Sequence, residues 1–205
     1  DNPIIVELGC GQGEYTVGLA KKYPNHNYIG IDVKGARIWY GADTVRSLDL
    51  ANAAFVRIRI DFLKSIFAEN EIDQIWLTFS DPQKEKPRKR LTSKMFMDRF
   101  KHVLKPGGIV HLKTDSLFLY GYTLGLLERK SYCIIKSIHD VHGMFHSDPR
   151  LDIKTYYESI FLIDSSNMNA RFKRNPYLSS RFPSFSLAHG SPKPIFFIPN
   201  RPLCT

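Results

Sequence analysis

Ile4-Ile5-Val6-Glu7-Leu8-Gly9-Cys10-Gly11-Gln12-Gly13-Glu14-Tyr15 is the stretch on which the fold turns. Five mostly apolar, β-branched residues are followed by three glycines and then by apolar residues at helical spacing, Val17 and Ala20. A short apolar run that feeds a glycine turn and then an amphipathic stretch is the opening of a parallel β-α unit. Glycines at the junction allow a tight turn and let a ligand approach the backbone, and the helix start beyond offers unpaired amide donors.

The same alternation continues outward. Tyr28 to Asp32, Ala54 to Ile60, Ile75 to Phe79 and Ile109 to Thr114 have strand character. Tyr15 to Tyr23, Lys34 to Leu50, Lys94 to Leu104 and Ser116 to Lys130 have helix character, the second supported by Ile38, Ala42 and Val45. Lys105-Pro106-Gly107-Gly108 is a helix stop, and Phe118, Tyr120 and Tyr122 are expected in the core. Alternating strands and helices with short connections predict an α/β, Rossmann-like, mostly parallel doubly wound sheet with helices on both faces.

In such a sheet ligands bind beyond the carboxyl ends of the strands. Three acids stand at three successive strand ends: Glu7, Asp32 and Asp61. Dinucleotide sites place the third glycine three residues after the second, whereas Gly9, Gly11 and Gly13 are evenly spaced. Glu7 just before the turn suits a ligand carrying an ammonium and a sulfonium better than a pyrophosphate. Asp32 sits where a ribose diol is held, and Asp61 could accept from an adenine amino group. The residues therefore favour S-adenosylmethionine over a dinucleotide as cofactor, with capping or solvent exposure the alternative for each acid taken singly.

The fourth strand runs into Phe79-Ser80-Asp81-Pro82-Gln83, then Lys84-Glu85-Lys86-Pro87-Arg88-Lys89-Arg90. An Asp-Pro at a strand end sets a carboxylate at the crevice on a restrained backbone. The five basic residues that follow suit phosphate binding, Lys84, Lys86, Arg88, Lys89 and Arg90. Further on come His111-Leu112-Lys113-Thr114-Asp115 and Thr155-Tyr156-Tyr157-Glu158. An N-cap is the alternative for Asp115, and a half-buried strand for Thr155 to Glu158.

Taken together, these elements resemble the bacterial tRNA (guanine-N7-)-methyltransferase family, over roughly Ile4 to Glu158. The resemblance implies a class I S-adenosylmethionine-dependent methyltransferase fold and methyl transfer to N7 of a guanine in the tRNA variable loop. It implies cofactor contacts from Glu7, Gly9, Gly11, Gly13, Asp32, Asp61 and Asp81. Asp81 is expected to be catalytic as well, placing the base and stabilising charge, and no metal is expected. Asp115, Thr155, Tyr157 and Glu158 are expected to contact the target nucleotide, and the basic loop the tRNA phosphates. Gln83 departs from the family, which usually has tryptophan there, and Ile160 stands where a basic residue is usual. Asp-Pro also resembles the Asp-Pro-Pro-Tyr loop of amino-group methyltransferases. Another nucleic-acid or small-molecule N-methyltransferase, or a silent RNA-binding relative, thus stays open.

The composition agrees with a polyanion partner. The 205 residues carry a formal charge of +9, split between residues 1–80, with 8 basic and 10 acidic residues, and residues 81–205, with 21 and 10. The three cysteines lie too far apart for a disulfide framework or a zinc site, so a cytoplasmic setting is expected, as monomer or homodimer. The longest apolar runs, such as Ile195 to Ile198, are far below a membrane span. The chain starts at Asp1 against the first strand, so further natural N-terminal residues are expected. Residues 1–164 form the expected methyltransferase domain. Residues 165–205 hold half the prolines and no acid, which predicts an irregular basic tail.

Overall fold

A computed structural model describes residues 2–130, 132–138, 141, 148–156, 158 and, as backbone, 193–202. Seven strands form one sheet: β1 Ile4–Leu8, β2 Asn27–Asp32, β3 Ala53–Arg57, β4 Ile72–Thr78, β5 Leu104–Thr114, β6 Tyr132–Ser137 and β7 Lys193–Pro202. Their order is β3-β2-β1-β4-β5-β7-β6. The first five are parallel, and β7 runs antiparallel to both β5 and β6. The helices are α1 Glu14–Lys22, α2 Gly35–Ser47, the short α3 Leu63–Ile66, α4 Lys94–Val103 and α5 Leu117–Arg129.

β1 and β4 are buried along most of their length because helices cover both faces of the sheet. One core packs Val6, Leu8, Ile75 and Leu77 against Met97 and Phe100 of α4 and Leu119 and Leu127 of α5. The other gathers Ile5, Trp76, Tyr15 and Leu19 on the α1 side. The expected doubly wound sheet is therefore present.

β4 starts at Ile72 rather than Ile75 and β6 is an additional strand, and three further differences from the sequence reading have a physical reason. β3 stops at Arg57 rather than Ile60 because its partner β2 ends at Asp32, opposite Arg57. After a last hydrogen bond from Ile58 N to Asp32 O, the chain turns into a 3-10 segment, Ile60–Phe62. α4 ends where the Lys-Pro-Gly-Gly signal predicts, but β5 begins at once, at Leu104, with its irregularity opposite Ile72 and Gln74.

The third difference is β7, which corrects the expectation of an irregular tail for residues 193–202. Proline lacks the N–H that a strand paired on both sides needs, so the three prolines here hid the strand. They lie toward its ends: Pro194 is its second residue, Pro199 falls in a break of register, and Pro202 pairs with Tyr132 beyond that break. Residues 165–192 and 203–205 lie outside the described residues.

Candidate active site

A cavity of about 950 Å³ opens at the carboxyl ends of β1, β2 and β4 and beside the turn after β3. β1 lies between β2 and β4, so this is where the strand order reverses, the place where such sheets bind ligands. Gly9 and Gly11 form one wall, with φ of 78° and 58°. A Cβ added at either meets nothing within 4 Å, so a side chain there would fill space that bare backbone leaves open. Asp32 stabilises this loop by accepting from Gly11 N at 3.0 Å and from Lys34 N at 2.9 Å. A carboxylate has further lone pairs, which leaves Asp32 capacity for a ligand hydroxyl. Val33, Ile60, Leu91, Met95 and Phe96 supply an apolar wall. Bare backbone, a carboxylate at the β2 end and an apolar wall fit a nucleoside with a charged amino-acid tail.

Two of the expected cofactor residues stand behind the cavity. A Cβ on Gly13 would lie 2.3 Å from the Phe55 ring, so this glycine serves the packing of α1 against β3. Glu7 is 3% exposed, and its carboxylate accepts from Thr16 N at 2.9 Å, from Thr16 Oγ1 at 2.5 Å and from the Thr78 hydroxyl. It joins the end of β1 to the start of α1 and the end of β4. Burial pushes its pKa up to about 7, against the lowering effect of the Thr16 and Thr78 hydrogen bonds. Asp61 does line the cavity, from the 3-10 turn rather than a strand end, and pairs with Arg59 at 3.2 Å and Arg99 at 3.8 Å.

The reaction loop leaves β4 through Phe79, a non-glycine residue in the left-handed region with φ of 48°. Phe79 N donates to Lys113 O at 2.8 Å. The conformation costs roughly 1–2 kcal/mol and turns the chain out of the sheet, with Ser80 and Asp81 on the cavity wall. Asp81 is exposed, and Gln83 supplies both hydrogen bonds it receives. Lys84, Lys86, Arg88 and Lys89 are exposed, and Lys89 reaches the cavity.

Arg90 corrects the expected basic cluster, because it is 5% exposed and turned inward. Its Nε donates to Pro82 O at 3.0 Å and its Nη2 to Lys84 O at 2.9 Å, while its guanidinium lies over the Phe118 and Tyr122 rings at 4.6 and 4.4 Å. Those two aromatics thus anchor the loop.

Residues 148–156 and 158 pack against α1 and β5; Thr155 among them lines the cavity, whereas Asp148, Pro149 and Arg150 line a second one beside Tyr23 and Trp76. Tyr15 Oη donates to Arg150 O, Lys22 Nζ to Pro149 O, and Glu14 accepts from Tyr156 N. Lys113 donates to Leu151 O and Ile153 O at 3.0 Å each and to Glu158 Oε2 at 2.9 Å. Burial lowers the Lys113 pKa, and Glu158 acts in the opposite direction. Glu158 N donates to Thr155 Oγ1 at 3.2 Å and Thr155 N to Glu158 Oε2 at 3.5 Å, the two halves of a capping box. Thr155 lines the cavity, whereas Glu158 is buried in an ion pair, a correction to the expectation that it touches substrate. Tyr157 lies outside the described residues. Asp115 is half-buried at the end of β5, and the cap of α5 is Ser116, which accepts from Leu119 N, so Asp115 is not an N-cap.

Two contributors escaped the sequence reading. Thr78, the partner of Glu7, was visible only as the residue before Phe79. Lys113 carried a signal, a lysine following Ile109, Val110 and Leu112 in a central strand, which calls for a buried acid nearby.

A family model described as "Putative methyltransferase" matches residues 1–158. A tRNA (guanine-N(7)-)-methyltransferase of Christiangramia forsetii is 49% identical over 165 residues, covering 79% of this chain and 74% of that protein. One from Bacteroides thetaiotaomicron is 47% identical over 162 residues, covering 79% of this chain and 64% of that protein. This chain belongs to the tRNA (guanine-N7-)-methyltransferase family. Its match spans about two thirds to three quarters of the length of these relatives. The fold also matches solved structures at low identity. A SAM-dependent methyltransferase from Aquifex aeolicus aligns with a TM-score of 0.52 and 20% identity, over 66% of this chain and 75% of that one. An rRNA methylase from Streptococcus thermophilus aligns with a TM-score of 0.55 and 12% identity, over 100% and 89%. For a methyltransferase family, the cavity with its bare Gly9–Gly11 backbone, Asp32 and apolar wall fits S-adenosylmethionine as the methyl donor. Among the described residues no helix is long and apolar enough to cross a membrane.

Proposed function

We propose that this chain methylates N7 of a guanine in the variable loop of tRNA, with Asp81 at the reacting centre. The observation that carries the reading is the convergence on one cavity of the Gly9–Gly11 loop, Asp32, Asp81 and Thr155 beside an exposed basic loop. The relatives' names support the same substrate. S-adenosylmethionine, when bound, supplies a methyl group on a cationic sulfur.

Guanine N7 carries a lone pair and no proton, so no general base is needed to prepare it. The alkylated ring becomes cationic, and what the protein must supply is alignment and a stabilising negative charge. Asp81 suits both tasks: its carboxylate can accept from the guanine N1 and N2 donors and lies where positive charge moves onto the purine. Gly9 and Gly11 receive the amino-acid end of the cofactor, Asp32 its ribose, and Asp61 its adenine amino group. Glu7 acts indirectly by holding Thr16 and Thr78. Thr155 and Asp115 flank the target nucleotide, and Glu158 holds Thr155 in place.

Lys84, Lys86, Arg88 and Lys89 grip tRNA phosphates. The target base must leave its stack, which costs least in a loop. We place this activity in the cytoplasm, the setting of tRNA modification. Unmodified tRNA treated with this chain and S-adenosylmethionine, then cleaved at N7-methylguanine, is expected to show a new break at the variable-loop guanine. Intact tRNA, or a break elsewhere, refutes the assignment.

A further inference from the structure

We propose that Gln83 is a positioning residue that fixes both oxygens of the Asp81 carboxylate; the inference rests on the assignment of Asp81 to the reacting centre. Gln83 N donates to Asp81 Oδ1 at 2.9 Å and Gln83 Nε2 to Asp81 Oδ2 at 2.7 Å. One residue thus takes one lone pair on each oxygen and leaves the others available to two donors side by side, the pattern that the N1 and N2 groups of a guanine present.

Exposed carboxylates ordinarily sample several rotamers, so this grip needs a rigid base. The structure supplies one. Gln83 has φ of 44°, and the carbonyls on either side of it, Pro82 O and Lys84 O, are both held by Arg90. Arg90 is fixed in turn against Phe118 and Tyr122 of α5. A run of contacts from α5 through Arg90 to Gln83 therefore converts a surface loop into a mount for one carboxylate.

The step served is unchanged: methyl passes from sulfur to N7, the sulfonium loses its charge and the purine gains it, with no proton transferred. Gln83 acts by restricting Asp81 and not by touching the reacting atoms.

The test uses the full chain with unmodified tRNA and S-adenosylmethionine. Gln83→Met keeps the length and apolar stem but cannot donate. Gln83→Gly keeps the backbone donor and relieves the left-handed strain. Both are expected to lower kcat about tenfold, the loss of one hydrogen bond to a charged group, with KM for tRNA and Tm nearly unchanged. Gln83→Asn, which tolerates the left-handed backbone and keeps an amide, should recover part of kcat. In an Asp81→Asn background, Gln83→Met should cost nothing further. Normal kcat in both Gln83→Met and Gln83→Gly overturns the inference while leaving Asp81 in place if Asp81→Asn is inactive. A fully active Asp81→Asn overturns the inference together with the reading beneath it. A rise in KM with unchanged kcat also overturns it, since that assigns Gln83 to tRNA binding.

Discussion

Glu7 and Asp81 are carboxylates at the carboxyl ends of two strands that pair with each other, β1 and β4, yet their surroundings are opposite. Glu7 is buried, takes three hydrogen bonds from two threonines, and has a pKa raised to about 7. Asp81 is exposed on a loop and is held by a single glutamine. The first joins elements together behind the cavity, and the second is presented to whatever enters. The basic residues divide the same way: Lys113 and Arg90 are turned inward to organise the site, while Lys84, Lys86 and Arg88 face solvent. In this molecule, the charged groups behind the cavity are buried and hydrogen-bonded, and those on the outer loop face solvent.

That contrast can be broken from either side. The largest effect is expected for Lys113→Met, which removes the buried cation beside Glu158 Oε2 and should cost about 3–5 kcal/mol in chemical denaturation. Lys113→Met/Glu158→Leu should regain most of it; a double variant as unstable as the single one contradicts the pairing. Next comes Asp81→Asn, expected to slow single-turnover methyl transfer by about 10²–10³-fold while changing stability by less than about 0.5 kcal/mol. A large loss of Tm in this variant would place Asp81 among the structural carboxylates.

Glu7 is tested through pH. Its folded pKa, about 7, lies above the ordinary value of 4.5, so the folded chain keeps a proton that the unfolded chain releases. Its contribution to stability is therefore complete below about pH 4.5 and lost as pH rises toward 7. Glu7→Gln does not titrate, so its stability relative to the parent should climb by a few kcal/mol across that window. Buried His111, whose pKa is lowered mainly by burial, adds the opposite slope below its ordinary 6.5 in both proteins and cancels in the difference. A difference flat with pH shows that Glu7 titrates normally.

The smallest effect belongs to the loop. Lys86→Ala should weaken tRNA binding uniformly and reduce the slope of log Kd against log salt by about 1, whereas Arg90→Ala should lower Tm first. Equal salt slopes in Lys86→Ala and the parent remove Lys86 from the phosphate contacts.

Much of this was legible in the chain itself. β1 falls on Ile4 to Leu8 as the apolar run predicts, and α1, α2, α4 and α5 fall within a few residues of their periodic stretches. These are local properties: an apolar strand and a helical repeat are written in consecutive residues. The strand-end positions of Asp32 and Asp81 follow from them, because topology alone takes those ends to one side of the sheet. β6 and β7 were harder to see. The signal in Ile195 to Ile198 was plain but short, and the neighbouring prolines argued against pairing.

What the sequence by itself determined is therefore the parallel α/β plan, the glycine turn and the motifs that carry the family, since each depends on residues close together in the chain. Only the tertiary structure decided which charges face inward. The partners of Glu7, Arg90 and Glu158 include Thr78, Tyr122 and Lys113, 71, 32 and 45 residues away. Whether a carboxylate binds a cofactor or braces a strand depends on desolvation and hydrogen bonding by such distant neighbours, and no local pattern encodes that.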